Sequence, residues 1–477
     1  MATEGRKRLS VATRRVLEEL GLASLYRSHV DVKLLCLQRF VRLFAYGAST
    51  LVLVSFLREL GISQRRIGLF MTLTLTGDVA ISFVLALFAD GVGRRAVLAL
   101  GAALMIASGV VFAQFENYWV LLAAAVFGVI SPSGREIGPF RAVEESTVAH
   151  LTTAGDRSDI YAWYSLLGNA GTAFGMITCG RVIHHLDEDL GWQLVDAYRM
   201  VFYGYAALGV AKITLALMLS SAVELEKPAT EEQPAPTSTS NSEETAPLLA
   251  GETAESDASE RDTAPKAANS RGRSLLSGIS RESVRVMVSL CLLFALDSFA
   301  SGLAPLSWIT FFFRSRYNLG EGKLGPVFFT SSIISAASAI VASSLAKRFG
   351  NVKTMVFTHL PSAVFLALIP IPNDVHLSVM FLLLRACTQS MDVAPRSAFL
   401  AAIVQPQERT AIMGLVNVVS TASQSLGPLI TGVLAEYNFF WVSFICAGSL
   451  KACYDLGLLA LFKNHERDRA RRRSTEA

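Results

Sequence analysis

The sequence predicts an all-α membrane protein: twelve transmembrane helices in two pseudo-symmetric six-helix bundles. Three observations predict it. Apolar runs of about 18–25 residues recur along nearly the whole chain. A polar segment divides them six and six. Motifs of the first six return in the second six. Composition agrees: of 477 residues, 52% are hydrophobic and 17% charged, and the mean hydropathy is +0.43. A soluble chain of this length carries more charge.

The spans fall at roughly 36–57, 67–89, 96–114, 119–141, 158–182 and 198–222, then 286–312, 324–346, 353–371, 376–400, 410–434 and 438–462. They define an N-terminal bundle over 36–222 and a C-terminal bundle over 284–462. Residues 1–35 are basic and amphipathic and lack the apolar core of a secretory signal. They read either as a helix lying on the membrane surface or as a solvated tail. Residues 223–283 are rich in Glu, Ser, Thr, Ala and Pro. They cannot bury a core and are expected to be a disordered linker. Residues 463–477 form a basic tail.

Lys and Arg set the orientation. Both ends of the chain are basic, as are the loops "GVGRR" and "AKRFGNVK" after the second and eighth spans. Even spacing puts all four on one side, read as cytosolic. The loop holding Arg58, Arg65 and Arg66 dissents. The six cysteines lie in apolar segments and show neither disulfide nor metal spacing.

The fourth span contains "SPSGREIGPFRA", where helix breakers and charges interrupt an apolar run. The tenth contains a counterpart, "SMDVAPRSA". Glu136 and Asp392 each stand three residues before a proline, and an arginine follows, Arg141 or Arg396. Gly175 and Gly180 follow Arg157 at 18 and 23 residues; Gly427 and Gly432 follow Arg409 at the same intervals. A six-plus-six chain with repeated halves is the plan of a transporter with a midplane site. An ionised group at that depth costs about 2.5–3.5 kcal/mol, so it faces protein or a wet cavity. The alternative is a structural kink with charges emerging into cytosol.

The loop after the second span, "ALFADGVGRRAVL", resembles the signature loop of the major facilitator superfamily, Gly-x-x-x-Asp-Arg-x-Gly-Arg-Arg. Asp90, Gly93, Arg94 and Arg95 match; Ala86 and Gly91 depart from the pattern. The second-half copy keeps Arg348, Gly350 and Lys353 but has Lys347 in place of the acid. The resemblance covers the chain outside its tails and linker. It implies the fold of that superfamily, a transport function, and a cytosolic gate at this loop. Within the superfamily, "SPSGREIGPF" and "MDVAPRSAF" look like a fungal and bacterial branch of little-characterised members. "SLGPLITG" resembles a Gly-Pro motif associated with proton antiporters, but it lies in span eleven rather than five, so symport and antiport both stay open.

Several intramembrane charges are candidates for the solute or proton pathway. Arg39 and Arg42 share one face of the first span. They either snorkel to headgroups or capture an anion. Asp78 lies midway along the second span and can carry a coupling proton or pair with an arginine such as Arg39 or Arg42. Asp297 lies in the seventh span beside Gly302 and Pro305, which loosen a helix. Arg385, deep in the tenth and seven residues before Asp392, either grips an anion with two parallel hydrogen bonds or forms a structural pair with an acid. Glu144 and Glu145 follow Arg141 at the cytosolic edge; either can pair with a basic loop residue, and both read as solvated by default. In the linker, Glu244 precedes Leu248 and Leu249 as an acidic dileucine sorting signal would, directed at an adaptor and a vacuole-like membrane.

No nucleophile–base pair, metal cluster or phosphate-binding glycine loop stands out, so an enzyme, a cofactor and a nucleic-acid partner are not expected. The expected protein is a monomeric, multi-pass secondary transporter of the plasma membrane or a vacuole-like membrane, with both termini cytosolic. It moves a small anionic or zwitterionic solute by alternating access, coupled to protons. Two other readings stay open: an efflux pump for toxic or drug-like compounds, and a transporter-like sensor with little flux.

Overall fold

The computed structural model describes residues 22–128, 130, 139–153, 156–224, 281–403 and 409–476. Among them there are helices and turns and no strand. This follows from the solvent: in hydrocarbon every backbone N–H and C=O must be satisfied within its own segment.

The first span is Val30–Glu59, so residues 30–35 belong to it rather than to the N-terminal segment. A short helix, Leu22–Arg27, precedes it. The second, third, fifth and sixth spans are Gln64–Val92, Arg94–Gln114, Arg157–His184 and Leu194–Leu217. The fourth is two helices, Tyr118–Gly128 and Pro139–Leu151. In the second half, the eighth, ninth and eleventh spans are Glu321–Phe349, Asn351–Leu368 and Arg409–Glu436. The last helix, Phe440–Glu476, continues through the residues read as a tail. Among the described residues, six helices are long and apolar enough to cross a membrane on length and composition alone.

Two spans are broken within the described residues. The seventh is Arg281–Leu303 followed by Leu306–Tyr317. Pro305, the residue before the second piece, lacks an N–H and blocks a continuous ladder. The tenth is Val375–Ala386 followed by Val393–Ile403, joined through a turn at 387–392. The break therefore falls where the sequence places its acid-x-x-Pro motif.

Turns between spans two and three and between eight and nine are alike. Gly93 has φ +100° and Gly350 has φ +85°. Side-chain-bearing residues rarely adopt that backbone, so each glycine lets a helix reverse in one residue. These turns lie at one end of the molecule, the motif end, with the start of the first span and the end of the last. Within each half, span one packs on five and span three on six, and likewise seven on eleven and nine on twelve. Spans two with eleven and five with eight join the halves.

Among the described residues, the polar contacts that join the halves sit away from the motif turns, toward the far end. Arg314, in the second piece of span seven, pairs with Glu59 of span one at 3.2 Å and with Glu321 of span eight. Tyr198 of span six donates to Glu321. The backbone N–H of Arg65 donates to Glu436. A Cβ on Gly68 would lie 2.6 Å from the Pro428 carbonyl oxygen, and one on Gly180 2.5 Å from that of Glu321, so backbones touch across the halves there.

The linker core 225–280 lies outside the described residues, and with it Glu244, Leu248 and Leu249. So does Glu136.

Candidate functional site: a charge-exchanged repeat inside the bundles

In the first half, Glu144 collects charge from three spans. It sits on the second piece of span four and is fully buried. Arg42 of span one reaches it at 2.7 Å and Lys212 of span six at 3.5 Å. Tyr164 of span five donates to it at 2.6 Å. Arg39, one turn before Arg42, lays its guanidinium 4.1 Å from the centre of the Tyr164 ring. Both arginines therefore point into the protein rather than to headgroups. The solvated position expected for Glu144 is replaced by the centre of an ion cluster: the helix carrying it turns that face inward.

In the second half, Asp297 of span seven is the hub. Lys451 of span twelve reaches it at 2.6 Å and Arg396 of span ten at 3.1 Å. Arg396 also pairs with Asp392, one turn earlier, and lies over the rings of Phe294 and Tyr454. Lys451 donates to Ser301 at 2.8 Å. His359 of span nine contacts both oxygens of Asp455 at 3.0 Å through Nδ1. Its Nε2 stands 4.0 Å from Asp297.

The two clusters are equivalent by the internal repeat. A Cβ on Gly47 would meet the Thr172 carbonyl oxygen at 2.2 Å; one on Gly302 would meet that of Gln424 at 2.1 Å. These matched contacts align span one with seven and five with eleven. Arg42 stands five residues before Gly47, and Asp297 five before Gly302. Glu144 stands 13 residues before Arg157, and Arg396 13 before Arg409. Gly209 and Gly448 both press on the neighbouring span, and Lys212 and Lys451 follow each by three. So Arg42–Glu144–Lys212 returns as Asp297–Arg396–Lys451. The acid and the base exchange spans; the lysine stays.

Asp78 is 5% exposed. Its Oδ2 is buried with no hydrogen-bond partner among the described residues, and no described cation forms an ion pair with the carboxyl. Arg42 acts on it only at a distance. The other buried acids described, Asp31, Glu144, Asp297, Glu321, Asp392 and Asp455, each receive a donor or a cation. Arg385, at the end of the first piece of span ten, has its Nε buried without a hydrogen-bond partner among the described residues. Thr388 Oγ1, in the turn that follows, is in the same position. Arg385 does not pair with Asp392, which takes Arg396 instead.

At the motif turn, Glu224 accepts from the backbone N–H of Arg94 at 2.8 Å and of Arg95 at 3.0 Å. A carboxylate there satisfies orphan donors and meets the positive end of the helix dipole. The side chains of Asp90 and Arg141 lie outside the described residues.

Sequence reasoning singled out Arg42, Asp297, Asp392 and Arg396, and the structure brings each into a cluster. It missed Lys212, Lys451, His359 and Asp455. One signal was available: "GVAK" ending at Lys212 and "GSLK" ending at Lys451 are the same Gly-x-x-Lys in spans six and twelve.

Two half-bundles whose spans pack in the same order define a transporter fold. The model of the Major Facilitator Superfamily matches residues 35–387 and 290–477, and the chain belongs to that superfamily. It is 37% identical over 439 residues, 91% of this chain and 94% of the relative, to the uncharacterized membrane protein YJR124C of Saccharomyces cerevisiae. Its fold is similar to the nucleoside transporter NupG, with TM-score 0.60 and 14% identity over 91% of this chain and 100% of that one. It is also similar to a bacterial homologue of the iron transporter ferroportin in an inward-facing state, with TM-score 0.64 and 12% identity over 90% and 98%. A bacterial homologue of the lysosomal transporter Spinster, inward-facing and unoccupied, gives TM-score 0.60 and 15% identity over 91% and 97%. The chain is a multi-pass membrane transporter.

Proposed function

We propose that this chain is a secondary transporter that carries a small anionic or zwitterionic solute by alternating access and couples its movement to protons. The observation that carries the reading is Asp78. An ionised carboxylate buried at membrane depth without a partner is costly. A carboxylic acid holding a proton is tolerated there. Asp78 is therefore the proton carrier of the first half, and Arg42, which acts on it from a distance, links it to the Glu144 cluster. Arg385 and Thr388 supply buried donors at the break of span ten, where a carboxylate or phosphate group can be gripped. Joining contacts at the far end match an inward-facing conformation, with the motif end toward the cytosol. Glu136 and Arg141 belong to the same pathway in this reading.

The test uses the full chain in proteoliposomes. A thermal-shift screen against anions, amino acids, sugars and drug-like cations first finds a ligand, and its flux is then followed under an imposed pH gradient. Anion or zwitterion flux that follows the gradient, and loses that dependence in Asp78→Asn, supports the reading. A response to cations alone removes the anion assignment. Unchanged coupling in Asp78→Asn removes Asp78.

A further inference from the structure

We propose that the groove between span one, span five and the short helix before span one holds an anionic phospholipid, with one acyl chain in the groove and the phosphate on Lys33. The proposal is independent of the solute carried.

The groove lies at the motif end. Leu25 of the short helix, Cys36, Leu37 and Phe40 of span one and Leu167 of span five line a cavity of about 330 Å³, and Lys33 is its charged member. The short helix is fastened to span five by Ser24, which donates to Asp159 at 2.9 Å. It therefore forms a fixed wall. Apart from Lys33 and the Cys36 thiol the lining is hydrocarbon, which gives a polar solute nothing to bind. Leu37 is 46% exposed, so the groove opens on the outer face of span one, where the neighbouring hydrocarbon is a lipid chain. The headgroup then decides which lipid stays.

Lys33 supplies the headgroup contact. It stands one turn into span one, yet its ammonium turns back to the level of the short helix. It donates to the Tyr26 carbonyl at 2.6 Å and lies 5.3 Å from the centre of the Tyr26 ring. A lysine that leaves its stem in the apolar region and lifts its charge to the surface is snorkelling. An ammonium has three donors, and the Tyr26 carbonyl takes one, leaving two for a phosphate. Tyr26 is 81% exposed, placed as aromatic residues are at a membrane–water interface. Arg27, the next residue, adds a second exposed positive charge. The two acids at this end of spans one and five are turned to other partners. Asp159 accepts from Ser24, and the buried Asp31 accepts from Ser220.

The internal repeat shows that this cation is no requirement of the fold. Aligning Arg42 with Asp297 and Gly47 with Gly302 places Cys36 on Cys291 and Leu37 on Leu292, the same residue types. It places Lys33 on Val288 and Phe40 on Ala295. At these positions the first half alone carries a cation and an aromatic ring. That ring also leads to the other half. Phe40 lies 6.5 Å from Phe174 of span five, centre to centre, and Phe174 lies 5.5 Å from Phe329 of span eight. A chain in the groove packs on Phe40, at the start of that row.

The test uses the full chain, stripped of lipid in an uncharged detergent. Native mass spectrometry follows the first bound lipid when phosphatidylserine and phosphatidylcholine with the same chains are added at equal concentration. The parent should favour phosphatidylserine by about fivefold, the effect of one lysine near an anionic headgroup. Lys33→Gln should lose that preference while still binding phosphatidylcholine, and Lys33→Arg should keep it. Leu37→Gln should weaken phosphatidylserine binding several-fold, and Leu292→Gln, its counterpart in the second half, should leave it unchanged. All three positions are exposed, so the fold tolerates the changes. Equal binding of the two lipids by the parent, or a preference that survives in Lys33→Gln, overturns the proposal. Equal losses in Leu37→Gln and Leu292→Gln overturn it too, because lipid then coats the protein without a site. Displacement of phosphatidylserine by inorganic phosphate would make Lys33 a site for a free anion and would likewise remove the lipid.

Discussion

Arg42 and Asp297 occupy equivalent positions in the two halves of this protein and carry opposite charges. Each faces its ion partner on the equivalent span, Glu144 at 2.7 Å and Arg396 at 3.1 Å. Each cluster is completed by a lysine at the equivalent place in the last span of its half. The pairing survived in both halves while its polarity reversed. A buried ion pair tolerates reversal of both partners better than loss of one, because only the second leaves an uncompensated charge.

The exchanged repeat predicts the outcome of charge swapping. Glu144→Gln should destabilise the purified protein by about 3–5 kcal/mol, since it leaves Arg42 and Lys212 buried without their acid. The double variant Arg42→Asp with Glu144→Arg copies the second half's arrangement and should recover much of the loss. Melting temperatures in detergent read both. A double variant no better than Glu144→Gln would mean that the two clusters are not interchangeable.

The far-end latch predicts a shift of conformation. Arg314 joins Glu59 in one half to Glu321 beside it. Arg314→Gln breaks both pairs. Partly exposed pairs are worth up to about 1 kcal/mol each, so the far-end open population should rise several-fold. Distances between labels at Leu190→Cys and Ile371→Cys report it. An unaltered distribution would show that backbone contacts such as Gly68 on Pro428 hold the halves closed by themselves.

The motif turn predicts two separable losses. Gly93→Ala forces a side-chain-bearing residue to φ +100° and brings a Cβ within 3.1 Å of the Glu224 carboxylate. About 1–3 kcal/mol is expected from the backbone alone. Glu224→Ala keeps the turn but strips two N–H groups of span three of their acceptor, for about 1 kcal/mol. Equal melting temperatures for Glu224→Ala and the parent would remove the capping role.

Deleting residues 228–280 separates transport from signalling. Those residues lie between the halves in sequence. A transporter should keep its solute flux in proteoliposomes without them, whatever happens to its destination in the cell. Loss of flux at normal yield and melting temperature would favour the sensor reading.

The spans were legible because membrane depth demands long apolar runs, and the breaks because proline and glycine interrupt them. Asp78, Asp297 and Arg385 stood out as charges where charges are expensive. His359 and Asp455 met the same criterion, in "MVFTHLPSAVF" and "CYDLGLLALF". Their meaning depends on each other, and they are 96 residues apart. Glu144 was the hardest to read. It follows a charged, proline-bearing stretch that looks like an exit into water, and only the inward turn of that helix buries it against Arg42, 102 residues away.

Composition and periodicity were enough to establish a twelve-helix membrane protein with repeated halves, since hydrophobic length and repeat spacing are local properties of the chain. Which acid meets which base, which carboxyl is left without a partner, and at which end the halves touch were settled by packing. Those outcomes depend on helix rotation and on contacts between residues about a hundred positions apart, and a one-dimensional pattern holds neither.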